Sequence, residues 1–187
     1  GLADAGSDPA KRTDAVIGKA RSGVTFTPGP EAIEMIEAAL PIAEELDDAD
    51  RLAALYVQLL TVRNMQGESY LIEPYHSQLD RAYALVPHLS DEGMQASLQG
   101  MMGLAHRSAD EYAESIVPLT HAVSGLAKAG RLSEASFDAS MLADSHATIG
   151  SFEEAKRVIT EAKRLGVVSG DPNAVAVAEL IHGRSLA

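Results

Sequence analysis

Apolar residues recur along most of this chain with the spacing of an α-helix. One such set, in steps of three and four residues, is Leu52, Leu55, Leu59 and Val62. The same steps recur later in the chain at Phe152, Ala155, Ile159 and Ala162. Steps of this kind place the side chains on one stripe of a helix. The pattern therefore predicts an all-α protein.

The helical pattern divides into eight segments separated by short turns. The predicted helices are 31–47, 50–66, 70–87, 91–107, 109–128, 132–148, 152–165 and 172–185, with a further short helix over 9–21 and a connector over 22–30. Pro41 and Pro118 fall inside predicted helices, where the missing backbone donor should kink or shorten the helix. We expect helix starts at the capping boxes Ser108/Glu111 and Ser151/Glu154 and at Asp171-Pro172, and helix ends at Gly67, Gly130, Gly150 and Gly166.

The helices come in pairs that repeat about every 40 residues. A shift of 40 superposes apolar or small positions in three successive units, among them Ala82, Ala122 and Ala162, then Leu79, Leu119 and Ile159. Paired helices with a fixed period indicate an α-solenoid, in which stacked pairs share one core. We expect about 3.5–4 repeats over residues 31–187, in units 31–47, 50–87, 91–128, 132–165 and the half repeat 172–187, after an N-terminal tail over 1–30.

The repeats resemble tetratricopeptide repeats (TPR). The residues that carry the resemblance are Leu142 and Ala143 in a first helix, then Gly150, Phe152, Ala155 and Ala162 after the turn. The period of 40 exceeds the usual ~34 of the family. This longer period is similar to that of the repeats in MalT/LuxR-type bacterial regulators, which implies a regulatory segment of a larger cytoplasmic protein.

Charge and composition exclude several classes of function. The net charge of −12 disfavours binding to nucleic acid or to an anionic membrane surface, and no apolar run approaches the length of a membrane span. The chain contains no cysteine, which excludes disulfides and thiolate metal sites. Neither a catalytic motif nor a phosphate-binding loop is present. We therefore predict a protein that is not an enzyme and needs no cofactor.

Two groups of titratable residues have both a functional and a structural interpretation. His106 and His146 occupy equivalent positions of successive repeats. They are interpreted either as a metal-binding or pH-sensing pair, or as imidazole rings that fill a position where the family often has tyrosine. The structural interpretation is favoured, because packed helices alone do not bring imidazole rings to ligand distance. The acidic run over 44–50 lacks the glycine-centred loop of a calcium site and is interpreted as a solvated helix end.

The resemblance also implies a binding surface, because the first helix of each TPR pair lines a concave groove. The positions that it places there are Asn64, Met101, Leu104, Arg107, Phe137, Met141, Asp144, Thr148, Val177 and Arg184. Methionine supplies adaptable apolar contacts, and arginine supplies directed hydrogen bonds. The expected partner is a protein or peptide. The alternative is a sensor domain whose superhelix encloses a small molecule.

The last predicted helix has apolar residues on more than one face. Solenoids usually end in a polar capping helix, and an uncovered apolar face tends to acquire a partner. We therefore predict self-association through residues 172–186, with Val177, Leu180 and Ile181 at the contact. The alternative is that these residues pack against the helix over 152–165.

Overall fold

A computed structural model describes residues 8–24, 30–68 and 70–185 of the chain. Within these ranges the secondary structure is helical and contains no strand, which confirms the all-α prediction. The chain forms two compact units, one over Gly1–Met94 and the other over Gln95–Ala187.

The first unit is organised around one long central helix. Its elements are α1 (Pro9–Val24), α2 (Pro30–Glu37), α3 (Leu40–Glu45), α4 (Ala49–Met65), α5 (Tyr75–Ala84) and a 3-10 turn (Val86–His88). Helix α4 packs against α1, α2, α3 and α5. The short helix predicted over 9–21 within the N-terminal tail corresponds to α1, which has 16 residues and whose Thr13, Val16 and Ala20 are buried.

Two predicted helices of this unit differ from those observed. The predicted helix 31–47 is divided into α2 and α3, because Pro41 stands in the first turn of α3, where its missing N–H costs nothing. The predicted helix 70–87 begins only at Tyr75, directly after Pro74, and ends in the 3-10 turn that contains Pro87. By contrast, Pro118 lies inside a continuous helix and is buried there.

The second unit stacks helices in the order of the chain. Helix α6 (Glu92–Ser108) crosses the boundary between the units, and α7 (Tyr112–Lys128), α8 (Leu132–Thr148), α9 (Phe152–Ser169) and α10 (Pro172–Ser185) follow. Helix α8 packs against α7, α9 and α10, and α9 packs against α10. The core between them consists of Leu, Val and Ile side chains separated by the small residues Ala139, Ala143, Ala162 and Ala178. The small residues allow the helix axes to approach closely.

Glycines serve two different purposes in this unit. Gly130 and Gly150 have positive φ angles of 75° and 84° at helix ends, as predicted for helix stops. The same prediction for Gly166 is wrong, because α9 continues to Ser169 and ends at Gly170. Gly166 is instead a close packing position: a Cβ atom there would lie 3.2 Å from the backbone nitrogen of Val175 in α10.

The predicted capping boxes do not form. The Ser108 hydroxyl donates to the Ala105 carbonyl at 2.8 Å, and Ser151 occupies the N-cap of α9 without a side-chain hydrogen bond to the helix. Glu154 pairs with Arg157 at 2.6 Å instead. The third predicted cap is confirmed, since Asp171 accepts a hydrogen bond from the backbone N–H of Asn173 at 2.9 Å.

Candidate binding groove

Three residues from successive first helices meet in one ionic ladder. Asp144 of α8 accepts hydrogen bonds on Oδ2 from Nη2 of Arg107 in α6 at 2.6 Å and from Nη2 of Arg184 in α10 at 2.8 Å. The Asp144 side chain is 7% exposed, whereas that of Arg184 is 61% exposed. We call the surface of α6, α8 and α10 around Arg107, Asp144 and Arg184 the groove face. The structure thus brings together three of the residues that the TPR resemblance predicted to share a surface.

Arg107 is held in place by more than its ion pair. Its Nη1 group donates to the Met141 carbonyl and to the Ser145 hydroxyl, both at 2.8 Å. Ser145 in turn shares a buried hydrogen bond of 2.8 Å with Ser115 of α7. The Arg107 guanidinium also lies 5.4 Å from the centre of the Tyr112 ring, within the range of a cation–π contact. These contacts fix Arg107, and through it Asp144, as a rigid base for the more exposed Arg184.

Apolar side chains accompany the ladder on α8 and α10. Phe137 is 39% exposed and lies seven residues before Asp144 on α8. Met141 lies between them and, like Val177 of α10, packs partly against the core. Met101 and Leu104 of α6 are half-buried as well. The second unit therefore combines a charged end of the groove face with an apolar stretch of α8 beside it.

Two predicted groove residues have other surroundings. Thr148 is exposed at the end of α8, and its hydroxyl donates to the Asp144 carbonyl at 2.8 Å, a bond within the helix. Asn64 is exposed near the end of α4, in the first unit.

A buried carboxyl group that the sequence reasoning missed lies beside α6. Asp138 of α8 is 5% exposed, and a Cβ atom added at Gly100 of α6 would lie 2.5 Å from its Oδ2 atom. Burial, together with the charge of Glu134, raises the pKa of Asp138 to about 8. Its position three residues after Ala135 and four before Leu142, both buried, is the sequence signal that could have revealed it. At neutral pH the group carries a proton.

The first unit holds its own ionic cluster around a buried arginine. Arg63 of α4 is 6% exposed. Its guanidinium donates to Glu68 at 2.5 Å, to Glu37 at 2.7 Å and to Gln78 at 2.8 Å. The cluster ties α2, α4, α5 and the segment after α4 together.

The two histidines and the acidic run have separate structural surroundings. His106 Nδ1 lies 2.8 Å from Glu111 Oε2. Nδ1 of His146 is buried and has no hydrogen-bond partner among the described residues, and burial lowers the pKa of this imidazole. In the acidic run, Asp48 caps α4 by accepting from the Arg51 backbone N–H at 3.0 Å. Over residues 8–24, 30–68 and 70–185 no cluster of three or more histidines and carboxylates is placed to hold a metal ion.

The predicted self-association surface is only partly exposed. Ile181 is 4% exposed and belongs to the core cluster of the second unit, and Val177 packs against the same cluster. Leu180 is 66% exposed. Of the three residues predicted at the contact, Leu180 is therefore the one that is largely exposed. None of the helices in the described part of the chain is long and apolar enough to cross a membrane.

A cavity of about 320 Å³ lies at the opposite end of α8 from the ladder. Its lining comes from the turn before α8, from the first turn of that helix and from the end of α9: Gly130, Arg131, Leu132, Ser133, Glu134, Val168 and Ser169. This lining contains none of the predicted groove residues, so this cavity is not the enclosed ligand pocket that the small-molecule alternative requires.

Comparisons with known proteins relate the chain to others through its fold. No protein-family model matches the sequence, and no curated protein matches it. Among solved structures it is similar to aspartyl phosphate phosphatase F from Bacillus subtilis, with a TM-score of 0.76 and 14% identity over 96% of this chain. It is also similar to a Rap protein complexed with Competence and Sporulation Factor, with a TM-score of 0.71 and 15% identity over 94% of this chain.

The present chain spans 46% of the length of each of these two neighbours. Both neighbours are helical-repeat solenoids. At this level of identity the similarity concerns the fold, and the fold of this chain is accordingly a TPR-like α-solenoid.

Proposed function

We propose that this chain is a non-catalytic interaction segment of a larger cytoplasmic regulator and that it binds a peptide or a helix along the groove face of its second unit. The observation that carries the proposal is the ladder of Arg107, Asp144 and Arg184, built from three successive first helices beside the partly exposed Phe137. A groove with fixed polar groups at one end and adaptable apolar groups along it suits an elongated partner.

The comparison with solved structures supports the same proposal. A neighbour of the same fold was solved in complex with Competence and Sporulation Factor, so a solenoid of this kind can hold a bound partner. The long repeat period, similar to that of MalT/LuxR-type regulators, supports a regulatory role for the parent protein. The small-molecule sensor stays the alternative and would require an enclosed pocket on the groove face.

A selection experiment tests the proposed function. The purified chain is panned against a phage-displayed random dodecapeptide library, and selected peptides are measured by fluorescence anisotropy. Phe137→Ala should weaken binding roughly tenfold, since an aromatic anchor is typically worth more than 1 kcal/mol at an interface. The matched control is Val117→Ala, which removes an apolar side chain that is 61% exposed on α7, a second helix. Peptides that bind the wild type, Phe137→Ala and Val117→Ala equally would contradict binding on the groove face.

A further inference from the structure

We infer that the partner of the groove face carries an acidic side chain that pairs with Arg184, about three residues from an apolar side chain that contacts Phe137. The inference rests on the proposed function and specifies the chemistry of the partner. It follows from three properties of the ladder: the burial of its anion, the exposure of one cation and the distance to the apolar residue.

The first property is that Asp144 is concealed from a partner. Its side chain is 7% exposed, and Arg107 and Arg184 both donate to the same oxygen. Arg107 is only 13% exposed and uses its Nη1 donors on Met141 and Ser145. A molecule that approaches the groove face therefore meets neither the carboxylate nor most of the first guanidinium.

The second property is the availability of Arg184. Of its five N–H groups, one donates to Asp144 within the described part of the chain, and 61% of the side chain is exposed. Asp144 holds this guanidinium at one edge, so less conformational freedom is lost when a ligand binds the other donors. The preferred ligand of an oriented guanidinium is a carboxylate, which it can bind through two parallel hydrogen bonds.

Charge complementarity points in the same direction. The ladder contains two cations and one anion, so its net charge is +1, in a chain whose net charge is −12. The negative net charge attracts a basic partner without directing it to one site, whereas an acidic side chain finds a fixed cation at Arg184. The ladder therefore selects an acidic residue and also sets the position of the peptide on the groove face.

The third property is the spacing along α8. Phe137 and Asp144 are seven residues apart on one helix, a separation of about 10 Å at 1.5 Å per residue. An extended peptide advances about 3.3 Å per residue, so it covers this separation in about three residues. The expected recognition pattern is thus an apolar residue and an aspartate or glutamate three positions away.

The experiment uses the same random dodecapeptide library, in which displayed peptides have no free C-terminal carboxylate and acidic enrichment must come from side chains. The library is selected against the wild type, Arg184→Gln and the control Arg157→Gln, which replaces an arginine of α9 whose side chain is 72% exposed. We expect the wild type and the control to enrich peptides in which an apolar and an acidic residue stand three positions apart. Arg184→Gln should still enrich the apolar residue but should lose the preference for the acidic one. In a selected peptide, exchange of the acid for its amide should weaken binding to the wild type roughly tenfold and leave binding to Arg184→Gln unchanged.

The outcomes separate this inference from the proposed function. If peptides bind in a Phe137-dependent manner but are indifferent to the acid or to Arg184, the inference is wrong and the proposed function stands. If the wild type selects no peptide, or only peptides that ignore Phe137→Ala, both are overturned.

Discussion

Asp138 should give the protein a stability that falls as the pH rises from 4 to 8, opposite to the trend of an ordinary paired surface carboxylate. Burial between α8 and Gly100 of α6 raises its pKa to about 8, against about 3.9 in the unfolded chain. The folded state therefore retains a proton that the unfolded state releases. Because the folded pKa is the higher of the two, this contribution is fully present below pH 4 and is lost as the pH rises through 8. We predict that Asp138→Asn, a neutral side chain of the same shape, removes the dependence.

The magnitude follows from the shift in pKa. Each unit of difference is worth 1.36 kcal/mol, so ionisation of Asp138 in the unfolded chain, while the folded state keeps its proton, lowers the free energy of unfolding by about 4 kcal/mol between pH 4 and pH 7. The stability of Asp138→Asn relative to the wild type should therefore increase by about 1.4 kcal/mol per pH unit from pH 5 to nearly pH 8. Above pH 8 the difference should level off, because Asp138 is then ionised in both states.

Urea unfolding, followed by circular dichroism at pH values from 5 to 9, measures this difference directly. The control is Glu153→Gln, which also replaces a carboxylate by its amide on the second unit, but at a side chain that is 90% exposed. A stability difference between Asp138→Asn and the wild type that does not change with pH would refute the reasoning, since Asp138 would then titrate alike in the folded and unfolded states.

Three further predictions concern packing, the ionic cluster of the first unit and self-association. Gly103→Ala should lower the free energy of unfolding by about 1–3 kcal/mol, because the new Cβ would lie 2.5 Å from Leu119 Cγ. Gly183→Ala should raise it by about 0.5–1 kcal/mol, because a Cβ there would have no atom within 4 Å. Melting temperatures that shift in the same direction for both variants would contradict this prediction. Arg63→Met should destabilise the first unit by about 1–3 kcal/mol, since Glu68 and the Gln78 oxygen lose their arginine donor and Glu37 keeps only the Gln78 amide. Chemical unfolding at low and high salt is the measurement, and an unchanged midpoint would contradict the prediction. Leu180→Glu should reduce self-association in sedimentation experiments without lowering the helix content. A wild type that is monomeric at micromolar concentration would show that the predicted contact does not form.

The fold was predictable because the dominant signals are repeated and periodic. The apolar steps that run through Phe152, Ala155, Ile159 and Ala162 recur every 40 residues, so one ambiguous turn does not alter the assignment. The wrong predictions of helix ends and helix caps arise where one residue type can serve two roles. Gly166 is a glycine near the end of a helical pattern, as at a helix stop, but its missing side chain is what allows α10 to pack closely against α9. Ser108 and Ser151 satisfy the capping pattern, but the side-chain bonds of the caps do not form.

Three predicted groove residues, Arg107, Asp144 and Arg184, lie together in the structure, but their connections were not predictable from the sequence. The TPR resemblance implied that Asp144 and Arg184, which are 40 residues apart in the chain, face the same groove. The sharing of one carboxylate oxygen by two guanidinium groups depends on side-chain geometry, which a periodic pattern does not contain. Asp138 was missed for a related reason: an aspartate in a helical pattern is usually exposed, and only the absence of a side chain at Gly100 makes room for it.

The position of helix α8 has a consequence for the kinetics of folding. It packs against α7, α9 and α10, and ten of its 17 residues are buried, so it cannot become fully ordered before its neighbours along the chain collapse onto it. All of these contacts join helices close in sequence, which lowers the entropy lost on forming them and favours fast folding. Substitutions in the centre of α8 should therefore slow refolding, whereas those at the exposed end of α10 should mainly accelerate unfolding. Helix α8, which carries Phe137 and Asp144 of the groove face, is then also the segment that sets how rapidly the second unit folds.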